Sequence, residues 1–194
     1  MKVMKYKEII SKVQLEIVEV LNSIDESKLN DLATLLTNPN VKVLGYSAGR
    51  MGFGLKAFMM RLNHLGINAY WFGDNYIPPM GKDDVFICCS NSGTTKSVAN
   101  IMDIFRAKAN GKVVAFVGNE DSKMGREADL TIKFKTCNGG LNSEDDPSKI
   151  NSIQPMTTLT EQSMFILFDI ITLMIIEKLN INIVDTKQFH SNIE

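Results

Sequence analysis

The most informative segment of the chain reads Val85-Phe-Ile-Cys-Cys-Ser-Asn-Ser-Gly-Thr-Thr95. Its first five residues are apolar, and four hydroxyl residues and one glycine follow them, which predicts a buried strand that ends in a turn. Apolar residues then recur with helical spacing at Val98, Ile101, Met102 and Phe105. The segment therefore predicts a strand, a turn and a helix in direct succession.

The turn between this strand and helix has the composition of an anion-binding loop. The first N–H groups of a helix lack helical partners, the helix dipole favours negative charge, and hydroxyl groups add further donors. Ordinary capping is the alternative, but one cap accounts for only one hydroxyl. The candidate phosphate-binding residues of this loop are Ser90, Asn91, Ser92, Gly93, Thr94 and Thr95.

Strand and helix patterns alternate along the rest of the chain. The predicted strands are 41–45, 68–72, 84–89, 112–117 and 130–134, and the predicted helices lie near 6–22, 26–36, 53–65, 94–109 and 156–179. Such alternation is typical of βαβ units and of a mostly parallel sheet covered on both faces. The sequence therefore predicts a doubly wound, three-layer α/β/α sandwich with a five-stranded sheet. Loops that follow its strands are expected to meet at one edge.

Composition excludes several classes of protein. With 194 residues, 44% of them hydrophobic, and a net charge of −1, the chain has the profile of a soluble globular protein without a basic face for nucleic acid. The most apolar segment, 164–176, is interrupted by Asp169 and Thr172 and is short for a membrane span, so we expect it to be buried, partly against another subunit. The three cysteines, Cys88, Cys89 and Cys137, are expected to be reduced thiols in the cytoplasm.

A second glycine-rich loop follows the first predicted strand and reads Gly45-Tyr-Ser-Ala-Gly-Arg-Met-Gly52. Its spacing does not fit the Gly-x-Gly-x-x-Gly dinucleotide fingerprint, and it lacks the Gly-Lys-Ser/Thr of a nucleotide P-loop. The loop offers one hydroxyl, Ser47, and one guanidinium, Arg50, whose planar donors suit phosphate or carboxylate. The alternative is a surface arginine in a tight turn.

Paired loops of this kind resemble the sugar isomerase (SIS) domain family, and within it the 6-phospho-3-hexuloisomerases. The similar motifs, in chain order, are Gly49-Arg50, Met60-Arg61-Leu62-x-His64-x-Gly66, Ser90-x-Ser92-Gly93-x-Thr95-Lys96, Ile153-Gln154-Pro155-Met156 and Leu159-x-Glu161-Gln162. The chain departs from the family pattern around the sugar. Met51 stands in place of a serine, Ile77 in place of a threonine and Thr94 in place of a glutamate.

The resemblance implies a single SIS domain with a helical segment 1–38, an α/β core 39–135, a loop 136–151 and a C-terminal helix and tail 152–194. It implies a cytoplasmic homo-oligomer, a tetramer in this family, that binds a phosphorylated sugar without a metal or other cofactor. Nucleic acid and membrane are not expected partners. The implied reaction interconverts D-arabino-hex-3-ulose 6-phosphate and D-fructose 6-phosphate. Another SIS-family isomerase activity and a sugar-phosphate-sensing module without catalysis are the alternatives.

The resemblance also assigns roles to individual residues. Glu161 is the expected catalytic base, although Thr158-x-x-Glu161 also fits a capping box. His64 is expected to assist proton transfer, in related enzymes at a neighbouring subunit's site, although a histidine just before Gly66 also suits a helix end. The expected substrate-binding residues outside the hydroxyl loop are Ser47, Gly49, Arg50 and Met51.

Overall fold

The computed structural model describes residues 4–136, 149–184, 186, 190 and 192–193. Cys137 and most of the predicted loop 136–151 lie outside these residues, as do several residues of the tail. The elements in chain order are α1 (Tyr6–Asn22), α2 (Glu26–Leu36), β1 (Lys42–Ser47), α3 (Gly49–His64), β2 (Asn68–Trp71), β3 (Val85–Ser90), α4 (Lys96–Ala109), β4 (Lys112–Val117), α5 (Lys123–Glu127), β5 (Leu130–Lys133) and α6 (Thr158–Leu179).

The five strands form one sheet with the order β2-β1-β3-β4-β5. Every pair of neighbours is parallel, with Gly45 opposite Ile87 and Ile87 opposite Val114 in the central strands. The predicted five-stranded α/β fold is confirmed, and the sheet is parallel throughout. Because parallel strands share one direction, the loops after β1, β3 and β4 all open at the same edge.

Helices cover both faces of the sheet and give two cores. All six residues of β3 are buried, which explains its uninterrupted apolar pattern. Its residues alternate between the faces: Phe86 and Cys88 pack with α4 and α5, whereas Ile87 and Cys89 pack with α3 and α6. The layers are therefore α4 and α5 on one side, and α1, α2, α3 and α6 on the other.

Helix α6 is apolar on nearly all sides, as the sequence indicates. Its 22 residues would reach across a membrane by length and composition alone, but half of its apolar window is buried in the fold. Met164, Phe168 and Ile171 are in the core, and α6 packs against α1, α2 and α3. These contacts identify α6 as a core helix. Its outer face still exposes Phe165 and Leu173.

The two cysteines within the described residues, Cys88 and Cys89, are both buried and free. Burial raises the pKa of both thiols far above the usual range, because the interior disfavours the thiolate. Both side chains therefore behave as small apolar core groups.

Candidate active site

A cleft opens at the carboxyl edge of the sheet between the loops that follow β1 and β3. These strands are neighbours, yet α3 and α4 leave them toward opposite faces, so their loops diverge. The cleft has a volume of about 430 Å³, within the range of small-molecule sites. It is lined by Ala48, Gly49, Arg50, Met51, Cys89, Ser90, Asn91, Ser92, Thr95, Met156, Thr157, Thr158 and Glu161.

The hydroxyl groups of the loop after β3 bond to one another. The Ser90 and Thr95 hydroxyl oxygens are 2.8 Å apart, and Ser90 Oγ accepts the Gly93 N–H at 3.1 Å. Thr94 donates through its hydroxyl to Ser92 Oγ at 3.1 Å. Hydroxyl groups rotate freely, so this network can turn its donors toward an anion. Ser90, Ser92 and Thr95 line the cleft, whereas Gly93 and Thr94 support the loop from outside that lining.

Helix α4 does not use this loop for side-chain capping. The N-cap residue is Thr95, and its side chain makes no capping hydrogen bond. Its hydroxyl instead faces Ser90. Thr95 is therefore not a side-chain cap, and its hydroxyl lies at a helix N-terminus on the lining of the cleft.

Asn91 ties the hydroxyl loop to α6 as well as lining the cleft. Its Oδ1 accepts hydrogen bonds from Thr160 at 3.1 Å and from Thr136 at 3.4 Å, and the Thr136 and Thr160 hydroxyls are 2.6 Å apart. All three residues are buried. Buried polar groups that satisfy one another hold a unique arrangement, so this cluster fixes the hydroxyl loop against the helix that carries Glu161.

Glu161 lies across the cleft from the hydroxyl loop and is held by two donors. Arg50 Nη1 donates to Glu161 Oε2 at 2.7 Å, and Thr157 Oγ1 donates to Oε1 at 2.8 Å. Arg50 also donates to Thr158 Oγ1 at 3.1 Å. Each carboxylate oxygen has two lone pairs, so both keep acceptor capacity toward the cleft.

The capping-box interpretation of Glu161 is wrong. Helix α6 begins at Thr158, so its N-cap is Thr157 and Glu161 lies one position beyond the capping-box partner. The carboxylate points to Arg50 and to the Thr157 hydroxyl instead of the N-cap backbone. The Arg50 side chain is 57% exposed, and its ion pair with Glu161 joins the start of α3 to the start of α6.

Ser47 and Met51 are both predicted to contact substrate, but only Met51 lines the cleft. Ser47 is buried, and its hydroxyl donates to the Cys89 carbonyl at 2.7 Å, which joins the ends of β1 and β3. It is not among the cleft-lining residues. Met51 does line the cleft and places an apolar thioether there.

His64 lies at the opposite end of α3 from Arg50. A 16-residue helix separates its two ends by about 22 Å, so His64 is outside the cleft of its own chain. Its ring lies 5.2 Å from that of His190 in the tail. Gly66, with a left-handed φ of 78°, follows the end of the helix; its N–H donates to the Asn63 carbonyl, and the Ile67 N–H donates to the Leu62 carbonyl.

The segment before α6 and the first residue of that helix contribute residues that the sequence did not assign to the site. Met156, Thr157 and Thr158 line the cleft, together with Ala48 and Cys89. Met156 has a φ of 54°, a left-handed conformation that is rare for a side chain of this size. Pro155, just before it, is the one signal in the sequence of an irregular turn at this place. Among the described residues, no group of His, Cys, Asp and Glu could hold a metal ion.

Comparisons with known proteins decide the family. The SIS domain matches residues 53–139. A 3-hexulose-6-phosphate isomerase of Bacillus subtilis is 31% identical over 98% of this chain and 100% of its own length. The chain belongs to the SIS domain family. A Methanocaldococcus jannaschii 3-hexulose-6-phosphate isomerase is also similar to the SIS chain, with 31% identity over 78% of this chain and 77% of that protein.

A solved structure of a Methanococcus jannaschii protein has the same SIS fold. A function of 3-hexulose-6-phosphate isomerase was inferred from that structure. The structure superposes with a TM-score of 0.77 at 27% identity, over 95% of this chain and 98% of that chain. These relatives place the SIS chain among phosphosugar isomerases. The matched SIS region contains the hydroxyl loop but ends before Glu161 and begins after Arg50, so those two residues rest on the full-length likeness and the cleft geometry.

Proposed function

We propose that this chain is a cytoplasmic enzyme of one SIS domain that interconverts D-arabino-hex-3-ulose 6-phosphate and D-fructose 6-phosphate. The observation that carries the proposal is the placement of a held carboxylate, Glu161, and a hydroxyl loop, Ser90 to Thr95, on one 430 Å³ cleft. The named relatives at 31% identity support the same reaction.

The reaction moves a carbonyl group between C3 and C2 through an enediol. Glu161 takes the proton from C2 of the 3-ketose and returns it to C3, while the hydroxyl proton of O2 passes to O3. A carboxylate that is positioned by neighbours suits this work, and it needs no redox step. Thr157 and Arg50 keep the carboxylate oriented toward the cleft through their bonds of 2.8 and 2.7 Å.

The phosphate end of the substrate binds at the hydroxyl loop. Ser90, Ser92 and Thr95 turn their hydroxyl groups to the phosphate oxygens, at the N-terminus of the 14-residue helix α4. This arrangement leaves the carbon chain to extend from the loop toward Glu161.

Replacement of Thr95 by valine tests the phosphate contact. Valine keeps the shape of threonine and removes one hydroxyl, so we expect fructose 6-phosphate to bind about tenfold more weakly by calorimetry. Thr94→Val is the matched control, since Thr94 is exposed and outside the cleft lining. Equal losses in the two variants would contradict the assignment of the phosphate to the cleft face of the loop.

His64 acts in the cleft of a neighbouring subunit under this proposal. Its distance from its own cleft requires a second copy, and apolar side chains remain exposed on α3 and α6 for such a contact, among them Phe53, Phe165 and Leu173. The resemblance to the family implies a homotetramer.

Mixing two inactive variants tests whether the site is shared. We expect His64→Ala and Glu161→Gln to be inactive alone and to regain activity when they are unfolded together and refolded, because a mixed interface contains one intact site. In a random mixture of pairs about a quarter of the sites are intact. Activity that stays at the level of the separate variants would show that His64 and Glu161 do not serve the same site across an interface.

Formation of fructose 6-phosphate from D-arabino-hex-3-ulose 6-phosphate, measured in a coupled assay, is the direct test of the function. Met51 gives a specific reason to assay other sugar phosphates beside it, since an apolar side chain lines the cleft where the family has a hydroxyl. Turnover of a different sugar phosphate would keep the isomerase and change its substrate. Binding of sugar phosphates with no turnover of any would indicate a sensing module.

A further inference from the structure

A buried carboxylate on α1 lies behind the segment that completes the cleft. Glu16 is 5% exposed and lies in α1, which is far from the hydroxyl loop along the chain. Its Oε1 accepts the Ile153 N–H at 3.0 Å, and its Oε2 accepts the Ser152 hydroxyl at 2.6 Å and the Gln154 side-chain amide at 3.1 Å. Glu16 therefore binds three consecutive residues, 152–154.

The bonds to Glu16 are better explained by placement of a segment than by charge pairing. Within the described part of the chain, no lysine or arginine forms an ion pair with Glu16. Taking a carboxylate out of water is costly unless hydrogen bonds compensate it, and here three donors do so. An apolar residue in this place would leave the Ile153 N–H and the Gln154 side-chain amide without their acceptor, so the carboxylate serves to hold residues 152–154 where they are.

The segment that Glu16 holds leads directly to the candidate base. Ser152 Oγ also accepts the Gln154 N–H at 2.9 Å, which makes 152–154 a closed turn. Pro155 follows, and its carbonyl accepts the Thr158 N–H at 3.1 Å. Thr157, three residues beyond Gln154, donates to the Glu161 carboxylate. The position of Thr157 is therefore set from one side by α6 and from the other by Glu16.

The backbone between these two anchors is strained. Met156 has a φ of 54° and a side chain that is 77% exposed, so no packing of its own keeps it in a left-handed conformation. Such a conformation persists when the surrounding structure imposes it. The anchors on either side are the turn held by Glu16 and the first turn of α6.

We propose that Glu16 is a positioning residue for Glu161: it fixes residues 152–154, which fixes Thr157 and thereby the orientation of the catalytic carboxylate. That Glu161 is catalytic rests on the proposed function. The hydrogen bonds by which Glu16 holds the segment 150–158 do not depend on which substrate binds. Phosphate binding is carried by the loop after β3, which Glu16 does not contact. Loss of Glu16 therefore acts on proton transfer and spares phosphate binding.

The test is Glu16→Ala in the full chain, with Glu19→Ala as the matched control. Glu19 is an exposed glutamate on the same helix, so it loses the same charge without loss of these bonds. We expect Glu16→Ala to lower kcat about tenfold or more, because small misplacements of a reacting group cost that much. We expect its dissociation constant for fructose 6-phosphate, measured by calorimetry, to stay within about threefold of wild type. Glu16→Gln should recover most of the kcat, since its Oε1 can still accept from Ile153, and its NH2 group can donate to the Ser152 hydroxyl and to the Gln154 side-chain oxygen once that amide turns over.

Hydrogen exchange measured by mass spectrometry separates this inference from the proposed function. Amides of residues 150–158 should exchange faster in Glu16→Ala than in wild type, and amides of 85–95 should not change. Ser152→Ala is the second variant in case Glu16→Ala does not fold: it removes one of the three bonds to Glu16 and the bond from the Gln154 N–H, and it should show the same pattern to a smaller degree. Unchanged exchange at 150–158, or equal losses of kcat and binding, would overturn the positioning role. A wild-type protein without turnover would overturn the proposed function alone, because the exchange pattern would still decide the role of Glu16.

Discussion

Glu161→Gln is expected to lower kcat for sugar-phosphate isomerisation by about a thousandfold while fructose 6-phosphate still binds. Glutamine has the shape of glutamate, and its carbonyl oxygen can keep one of the bonds to Arg50 and Thr157. An amide cannot take up the proton from carbon, so the chemical step is lost. Steady-state kinetics and calorimetry on the same preparation measure the two quantities separately.

A control for this experiment is available on the same helix. Glu177 is exposed near the end of α6, so Glu177→Gln makes the same change of charge at a distance from the cleft. We expect wild-type kcat for that variant. A Glu161→Gln enzyme with near wild-type kcat would remove Glu161 from the role of base and would direct the search to another group on the cleft.

Gly93→Ala is expected to destabilise the fold by about 2–4 kcal/mol and to abolish sugar-phosphate binding. Gly93 has a φ of 66°, and an added Cβ would lie 2.5 Å from the Cβ of Ser122. Ser122 cannot withdraw easily, because it is buried, donates to the Asn119 carbonyl at 2.6 Å and accepts the Gly125 N–H at 3.2 Å. The hydroxyl loop must therefore move, and its donors lose their common direction.

Gly49→Ala isolates the contribution of the clash. Gly49 has nearly the same φ, 62°, but nothing lies within 4 Å of the position its Cβ would take. Only the strain of a left-handed alanine remains, which costs about 1 kcal/mol. Chemical denaturation of both variants gives the difference in free energy of unfolding, and equal values would contradict the close packing of Gly93 on Ser122.

Much of the fold follows from local patterns in the sequence. The predicted bounds of α1, α2 and β4 agree with the structure, because an amphipathic helix or a buried strand repeats its signal over its whole length. The beginnings of α3, α4 and α6 were less accurate. Helix α3 starts at Gly49 rather than residue 53, since its first turn is rich in glycine and carries no apolar period, and α4 and α6 each start two residues later than predicted. The short helix α5 was absent from the prediction, because its five residues are too few to show a helical period.

The cleft was predictable where its residues lie beside one another along the chain. The hydroxyl loop and Arg50 follow their strands directly, so the topology alone brings them to one edge. The bonds that hold Glu161 could not be predicted in this way. Glu16 and Ile153 are 137 residues apart, and Arg50 and Glu161 are 111 apart, so no local pattern reports either contact. Likewise, the inward hydrogen bond of Ser47 depends on the register of β1 against β3.

The bond between Asn91 and Thr160 has a consequence for which atoms of a substrate can react. Asn91 belongs to the loop that we propose binds phosphate and Thr160 is adjacent to Glu161, so their 3.1 Å contact fixes the interval between the proposed anion site and the carboxylate. That interval would determine which carbon of a bound sugar, counted from its phosphate, lies beside the carboxylate. Sugars of different length or phosphate position would present different carbons to Glu161, whatever their hydroxyl configuration. Regiochemistry would then be a property of the backbone scaffold, and stereochemical preference a property of exchangeable side chains such as Met51.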